Sequence, residues 1–191
     1  IAANATAKGI KTLATFFTST LAAEIRRTYG AAKVITANNV YAHADDLADI
    51  TDGIRALLAT DGVFVFEVSY LVDVFEKTLF DTIYHEHLAY HSVKPLLGFF
   101  QDHGMELIAA DRVSSHGGSL RCVAQLKGGP HAIQSSIGER IDHEQALGLD
   151  QEDTLLAFGD KINGVKGQLT ELLNDLKDEG TEKEDDERQA Y

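Results

Sequence analysis

The sequence predicts an α/β fold: a partial doubly wound sheet, an antiparallel hairpin toward its C-terminal edge, and helices after it. Three observations carry this expectation. Amphipathic helical stretches alternate with short β-branched runs through the first half of the chain. The runs MELIAADRV and SLRCVAQL are separated only by SSHGG, too short a connection for a crossover helix, so they pair as antiparallel neighbours. With 191 residues, 44% of them hydrophobic, the chain can bury a substantial core.

Each element follows from its own pattern. Ala5 to Gly9 reads as the end of a helix, and Ile10 to Phe17 (IKTLATFF) as a short strand. Ser19 to Tyr29 is a helix closed by Gly30, and VITANNV (Val34 to Val40) is a buried parallel strand. Asp45 to Leu58 is amphipathic, with Leu47, Ile50, Ile54 and Leu57 at helical spacing. Asp61-Gly62 signals a turn into the strand VFVFEV, Val63 to Val68. Lys94 to His103 is a helix presenting Leu96, Leu97, Phe99 and Phe100, with Gly104 as its stop. The two hairpin strands follow.

Beyond Lys127 the character changes. GGPH is a linker signal, and Ser136 with Glu139 has capping-box spacing for a helix. From Leu155 a longer helix spaces Phe158, Ile162, Val165, Leu169, Leu172 and Leu176 three and four apart. That stripe suits either packing on a neighbouring domain or a coiled-coil seam, so oligomerisation through the 155–176 helix is an open expectation; Gly159, Gly164 and Gly167 weaken the free-standing coil. The expected division is residues 1–127 as an incomplete domain, 128–178 as linker and helices, and 179–191 as an acidic tail.

The formal charge of −13 argues against a nucleic-acid partner. No apolar run approaches the roughly 20 residues that span a bilayer, and the start lacks a signal-peptide core. A single cysteine, Cys122, excludes an internal disulfide framework and suits the reducing cytoplasm.

The densest polar cluster is FDTIYHEHLAYHS, which carries Tyr84, Glu86, His87, Tyr90 and His91 just after the Val63 to Val68 strand. In a doubly wound sheet that places it on the ligand side, at the strand carboxyl ends. A histidine there is the natural base near neutral pH. On a helix His87 and His91 would share a face, as metal ligands do, but HExxH is not matched, since Ala89 stands where its second histidine belongs. No metal is expected. A second cluster is His116, Gly117, Gly118, Ser119 and Arg121, either a substrate contact or simply a hairpin connection that needs glycine. Asn38, Asn39 and His43 follow VITANNV at another strand end, where the asparagines suit a polar ligand or a helix cap. Tyr90 and Lys94 fit the YxxxK spacing of nicotinamide-dependent sugar enzymes, but no GxGxxG-type loop accompanies them.

VITANNVYAHADDL, LLATDGVFVFEVSYL, FDTIYHEHLAY and HGGSLR, in that order, resemble the nucleotide-sugar C-methyltransferases of deoxysugar biosynthesis. The likeness covers residues 1 to about 127, with a weaker one in the helix from Leu155. It implies a Rossmann-like methyltransferase sheet, S-adenosyl-L-methionine as cofactor and a nucleotide-linked 4-keto-deoxysugar as substrate. By motif position it implies His87 as the base, supported by Tyr84 and Glu86. It places Asn38, Asn39 and His43 toward the cofactor, and Tyr90, His116, Gly117, Gly118, Ser119 and Arg121 toward the sugar. The family's Gly-rich cofactor loop is not matched, so an internal segment is expected. The alternative is a non-catalytic remnant that keeps a binding or oligomerisation role.

Overall fold

The computed structural model describes the backbone of residues 2–188 and the side chains of residues 2–177. Four strands form one sheet in the order β1-β2-β4-β3, with β1 Ala32–Asn38, β2 Leu58–Ser69, β3 Met105–Val113 and β4 Ser119–Leu126. β1 and β2 run parallel, and β4 is antiparallel to both β2 and β3. The parallel part and the hairpin are those the sequence predicts. Among the described residues seven α-helices accompany the sheet: α1 Ala2–Ala7, α2 Ser19–Tyr29, α3 Leu47–Leu57, α4 Leu71–Lys77, α5 Val93–Asp102, α6 Ser136–Ala146 and α7 Glu152–Arg188.

Local chemistry sets the element ends. The Thr18 hydroxyl accepts the Leu21 N–H at 3.2 Å to open α2, and Gly30 closes it at φ 86°. Asp46 opens α3 by accepting the Asp49 N–H at 2.9 Å. Asn39 turns left-handed at φ 51°, which ends β1 two residues before the expected boundary.

The core lies on one face of the sheet. Phe64, Phe66 and Val68 of β2 stand opposite Ala124, Cys122 and Leu120 of β4, and all are buried. Tyr41 and Phe100 cover this row, with ring centroids 5.0 Å and 5.5 Å from Phe66. Each such buried aromatic ring contributes about 2–3 kcal/mol of apolar burial. Burial also pushes the Cys122 thiol up, as befits an inert core residue. The opposite face is open at β1, where Val34 is 60% exposed.

Several expectations are corrected. Ile10 to Phe17 is not a strand: Phe16 is 92% exposed, and only Phe17 turns inward, against Gly53 of α3. Apolar alternation alone makes no strand without a ladder partner. Asp61-Gly62 is not a turn before β2 but a looped-out irregularity inside it, where pairing jumps from Ala32↔Leu58 to Val34↔Val63. Gly62 is needed there, since a Cβ would stand 2.7 Å from the Ala32 carbonyl oxygen. The Ser136–Glu139 capping box does not form. The Ser136 hydroxyl accepts the Ala110 N–H of β3 at 3.1 Å, while Ser135 donates to Glu139 at 2.9 Å.

Past residue 127 the chain returns to the same core. Gln134 N–H bonds the Ile108 carbonyl at 2.8 Å, and Ile137 and Leu149 join the buried cluster. Along α7, Phe158 meets Phe75 at 5.5 Å, whereas Leu155, Leu169, Leu172 and Leu176 are about half exposed. The α7 backbone continues to Arg188, into the expected acidic tail, whose side chains lie outside the described residues. Among the described residues no helix is long and apolar enough to cross a membrane.

Candidate active site

The carboxyl ends of β1 and β2 open on one cavity of about 360 Å³. Asn39 and Ser69 come from those strand ends, and Ala42 and His43 from the short helical turn Tyr41–His43. Asp81, Thr82, Tyr84 and His87 come from the segment after α4, and His116 from the β3–β4 connection. That segment is irregular. Thr78 leaves α4 in the left-handed conformation, Phe80–Thr82 makes one tight turn, and His87 N–H closes another on the Tyr84 carbonyl at 3.0 Å. The Leu88 N–H then bonds the Ala42 carbonyl at 3.1 Å, which ties the segment to the end of β1.

His87 is held by its Nδ1, 2.9 Å from the Thr82 carbonyl oxygen. A carbonyl can only accept, so Nδ1 carries the proton and Nε2 presents a lone pair. The Tyr84 hydroxyl donates to that Nε2 at 3.1 Å, its ring 4.3 Å from the imidazole. Tyr90 shares the same anchor, its hydroxyl donating to Thr82 at 2.8 Å. His43 repeats the arrangement: its Nδ1 lies 2.6 Å from the Glu86 carbonyl oxygen, and its ring stands 4.8 Å from that of His87. Two imidazoles, each anchored through Nδ1, and a phenol therefore meet at one wall, a set able to accept one proton and donate another.

The remaining sequence-stated candidates are placed as follows. The Glu86 carboxylate points outward, 3.9 Å from His85, so its share in the cluster is its backbone carbonyl. Asn38 ends β1 in register with Glu67 and does not line the cavity. Arg121 donates to Glu67 at 3.0 and 2.8 Å, away from the lining residues. Of the HGGS stretch only His116 reaches the cavity; Gly118 packs on Asp73, and Ser119 is buried with its hydroxyl donating to Ser115. Thr82, Asp81 and Ser69 complete the lining. Nothing in the residue type of Thr82 signals its role, because its backbone carbonyl performs it.

Residues 83–92 form no helix, so His87 and His91 share no helical face. His91 is buried near Tyr41, with Nε2 unpartnered, and burial pushes its pKa down to about 4. Among the described residues no group of three potential ligands is placed to hold a metal. Tyr90 and Lys94 do not form a couple either: the Lys94 ammonium is paired with Asp150 at 2.7 Å.

Comparison with known proteins sets this geometry in context. A family model described as the C-methyltransferase C-terminal domain matches residues 114–182. The C-methyltransferase NovU of Streptomyces niveus is 32% identical over 173 residues, which cover 91% of this chain and 41% of that protein. The chain thus spans about two fifths of the length of the curated relative it matches. Among solved structures, a SAM-dependent methyltransferase from Anabaena variabilis aligns with a TM-score of 0.44 and 14% identity, over 58% of this chain and 55% of that one. An O-methyltransferase family protein from Burkholderia thailandensis aligns with a TM-score of 0.40 and 14% identity, over 66% and 39%. The family model over residues 114–182 and the NovU match over most of the chain both liken it to the C-methyltransferases.

Proposed function

We propose that the protein acts in S-adenosyl-L-methionine-dependent C-methylation of a nucleotide-linked 4-keto-deoxysugar, with His87 as the base. The observation that carries this reading is the His87 imidazole, fixed through Nδ1 so that its Nε2 lone pair and the Tyr84 hydroxyl meet at the cavity wall. Carbon methylation beside a ketone first needs a proton removed from that carbon, and a neutral imidazole is suited to take it. In the substrate complex the Tyr84 hydroxyl turns from Nε2 to the ketone oxygen. The C–H proton then passes to Nε2, while the negative charge develops on an oxygen that Tyr84 stabilises. His43, its ring tilted by 50° beside that of His87, presents the second lone pair through which a proton can leave.

When bound, S-adenosyl-L-methionine supplies the electrophilic methyl group. Asn39, which is left-handed and opens on the cavity beside Ser69 and His43, offers the neutral polar rim that its reacting end requires. Among the described residues no Gly-rich turn joins that rim. The likeness to a C-methyltransferase supports carbon as the atom that accepts the methyl group. The single buried cysteine suits the cytoplasm. The half-exposed leucines of α7 are the face through which self-association would run, and sedimentation of the chain against a Leu169→Lys, Leu172→Lys variant tests that.

Titration with S-adenosylhomocysteine and, separately, with a nucleotide-linked 4-keto sugar tests the reading by NMR. Shifts at Asn39 and His43 are expected for S-adenosylhomocysteine, and shifts at Tyr84 and His87 for the sugar ligand. Shifts confined to another surface would overturn the assignment.

A further inference from the structure

We propose that Asp73 is a positioning residue for the cavity: with Lys77 and Arg112 it clamps the Ser115–Gly118 turn and so holds His116 on the cavity wall. The proposal rests on the reading above only in taking this cavity as the reacting site.

The turn is strained. His116 has φ 50° and ψ 37°, and Gly117 and Gly118 follow at φ 85° and 148°. A left-handed non-glycine residue is disfavoured and persists only where its surroundings over-determine it. Here the surroundings are α4 and the end of β3. The Lys77 ammonium donates to the Gly117 carbonyl at 2.5 Å and to Asp73 at 2.6 Å, so one cation bridges the turn and the carboxylate. Asp73 is fully buried and also accepts Arg112 through Nε at 3.0 Å and Nη2 at 2.7 Å. Gly118 lies directly on that carboxylate; a Cβ there would stand 2.0 Å from Asp73 Cγ.

A buried ionic cluster is a poor device for stability alone, because apolar replacements often serve as well. An apolar side chain at position 73 could fill the space but could not hold the Lys77 ammonium against the Gly117 carbonyl. α4 also leads through Leu79 to Asp81 and Thr82, so the same clamp relates the wall carrying His116 to the wall carrying His87.

The test uses NMR of the full 191-residue chain with histidine side chains resolved. Lys77→Met is expected to keep the helical content and to leave the thermal midpoint within about 3 °C, since Lys77 is half exposed. In that variant the amides of Ser115 to Ser119 and the His116 ring shift or broaden, while the His43 and His87 rings hold. Lys77→Arg restores the native signature. Asp73→Asn gives the same pattern with a larger loss of stability; should it fail to fold, the Lys77 pair still decides. Unchanged His116 and Gly117 signals in Lys77→Met would overturn the proposal. So would equal changes at His43 and His87, or no rescue by Lys77→Arg. None of these readouts depends on methyl transfer, so the clamp and the proposed reaction fail separately.

Discussion

Glu144 of α6 offers the sharpest quantitative test of how the segment carrying Tyr84 and His87 is held. Its carboxylate is 4% exposed and accepts three hydrogen bonds: the Tyr70 hydroxyl at 2.9 Å, the Val93 N–H at 2.6 Å and the Lys94 N–H at 3.1 Å. Tyr70 stands at the start of the segment carrying Tyr84 and His87, and Val93 at its end, so one carboxylate clasps both. Glu144→Ala orphans the hydroxyl of a fully buried tyrosine and two N–H groups at the start of α5. Each buried donor left without a partner costs about 1–3 kcal/mol, and the lost helix cap is part of the same sum. Three such donors total about 3–9 kcal/mol, a large share of an ordinary domain's stability of about 5–15 kcal/mol. Glu144→Gln keeps one oxygen for Tyr70 and Val93 and is expected to cost about 1–2 kcal/mol. Urea unfolding followed by far-UV circular dichroism measures both. A Glu144→Ala loss below about 1 kcal/mol, or a Glu144→Gln loss equal to it, would refute the reasoning.

Three further outcomes follow from the same structure. Burial holds His91 at about 4 when folded, against 6.5 unfolded, so between those values the unfolded chain binds the extra proton. Stability is therefore full above pH 6.5 and falls as the pH drops toward 4, by up to about 3 kcal/mol from this group. A His91→Phe variant should flatten that limb of the pH profile, and an unchanged slope would show that His91 does not contribute it. Gly118→Ala drives a Cβ into the Asp73 carboxylate at a backbone angle of φ 148°, and an unfolding free energy lowered by roughly 2–4 kcal/mol is expected by denaturant titration. Tyr84→Phe leaves the exposed ring but removes the hydroxyl donated to His87, so proton abstraction should slow by about tenfold in an exchange assay, with little change in thermal midpoint.

Much of the fold was legible because local pattern and tertiary need agreed. VFVFEV alternates large apolar residues, and Phe64, Phe66 and Val68 do fall on one buried face. The five residues of SSHGG could only join antiparallel neighbours, and β3 and β4 pair accordingly. The failures occur where a long-range partner decides. IKTLATFF has strand composition, but no ladder receives it. Asp61-Gly62 has turn chemistry, which an in-strand irregularity also uses. The Ser136 hydroxyl has cap spacing, yet β3 offers the Ala110 N–H first. At the candidate site the residue types of Tyr84 and His87 pointed to the cluster. The carbonyls of Thr82 and Glu86 that fix the two imidazoles have no sequence signature, since every residue carries one. Asp73 was equally silent, because its partner Arg112 lies 39 residues away on another element.

In the proposed reaction His87 Nε2 removes the proton beside the ketone. Deuterium wash-in at that carbon of a nucleotide-linked 4-keto-deoxysugar, followed by NMR in D₂O without the methyl donor, tests this most directly. Native protein is expected to accelerate exchange over buffer, and His87→Ala to lose about 10²–10⁴-fold of that acceleration with the fold intact by circular dichroism. Exchange at the native rate in His87→Ala would contradict the assignment.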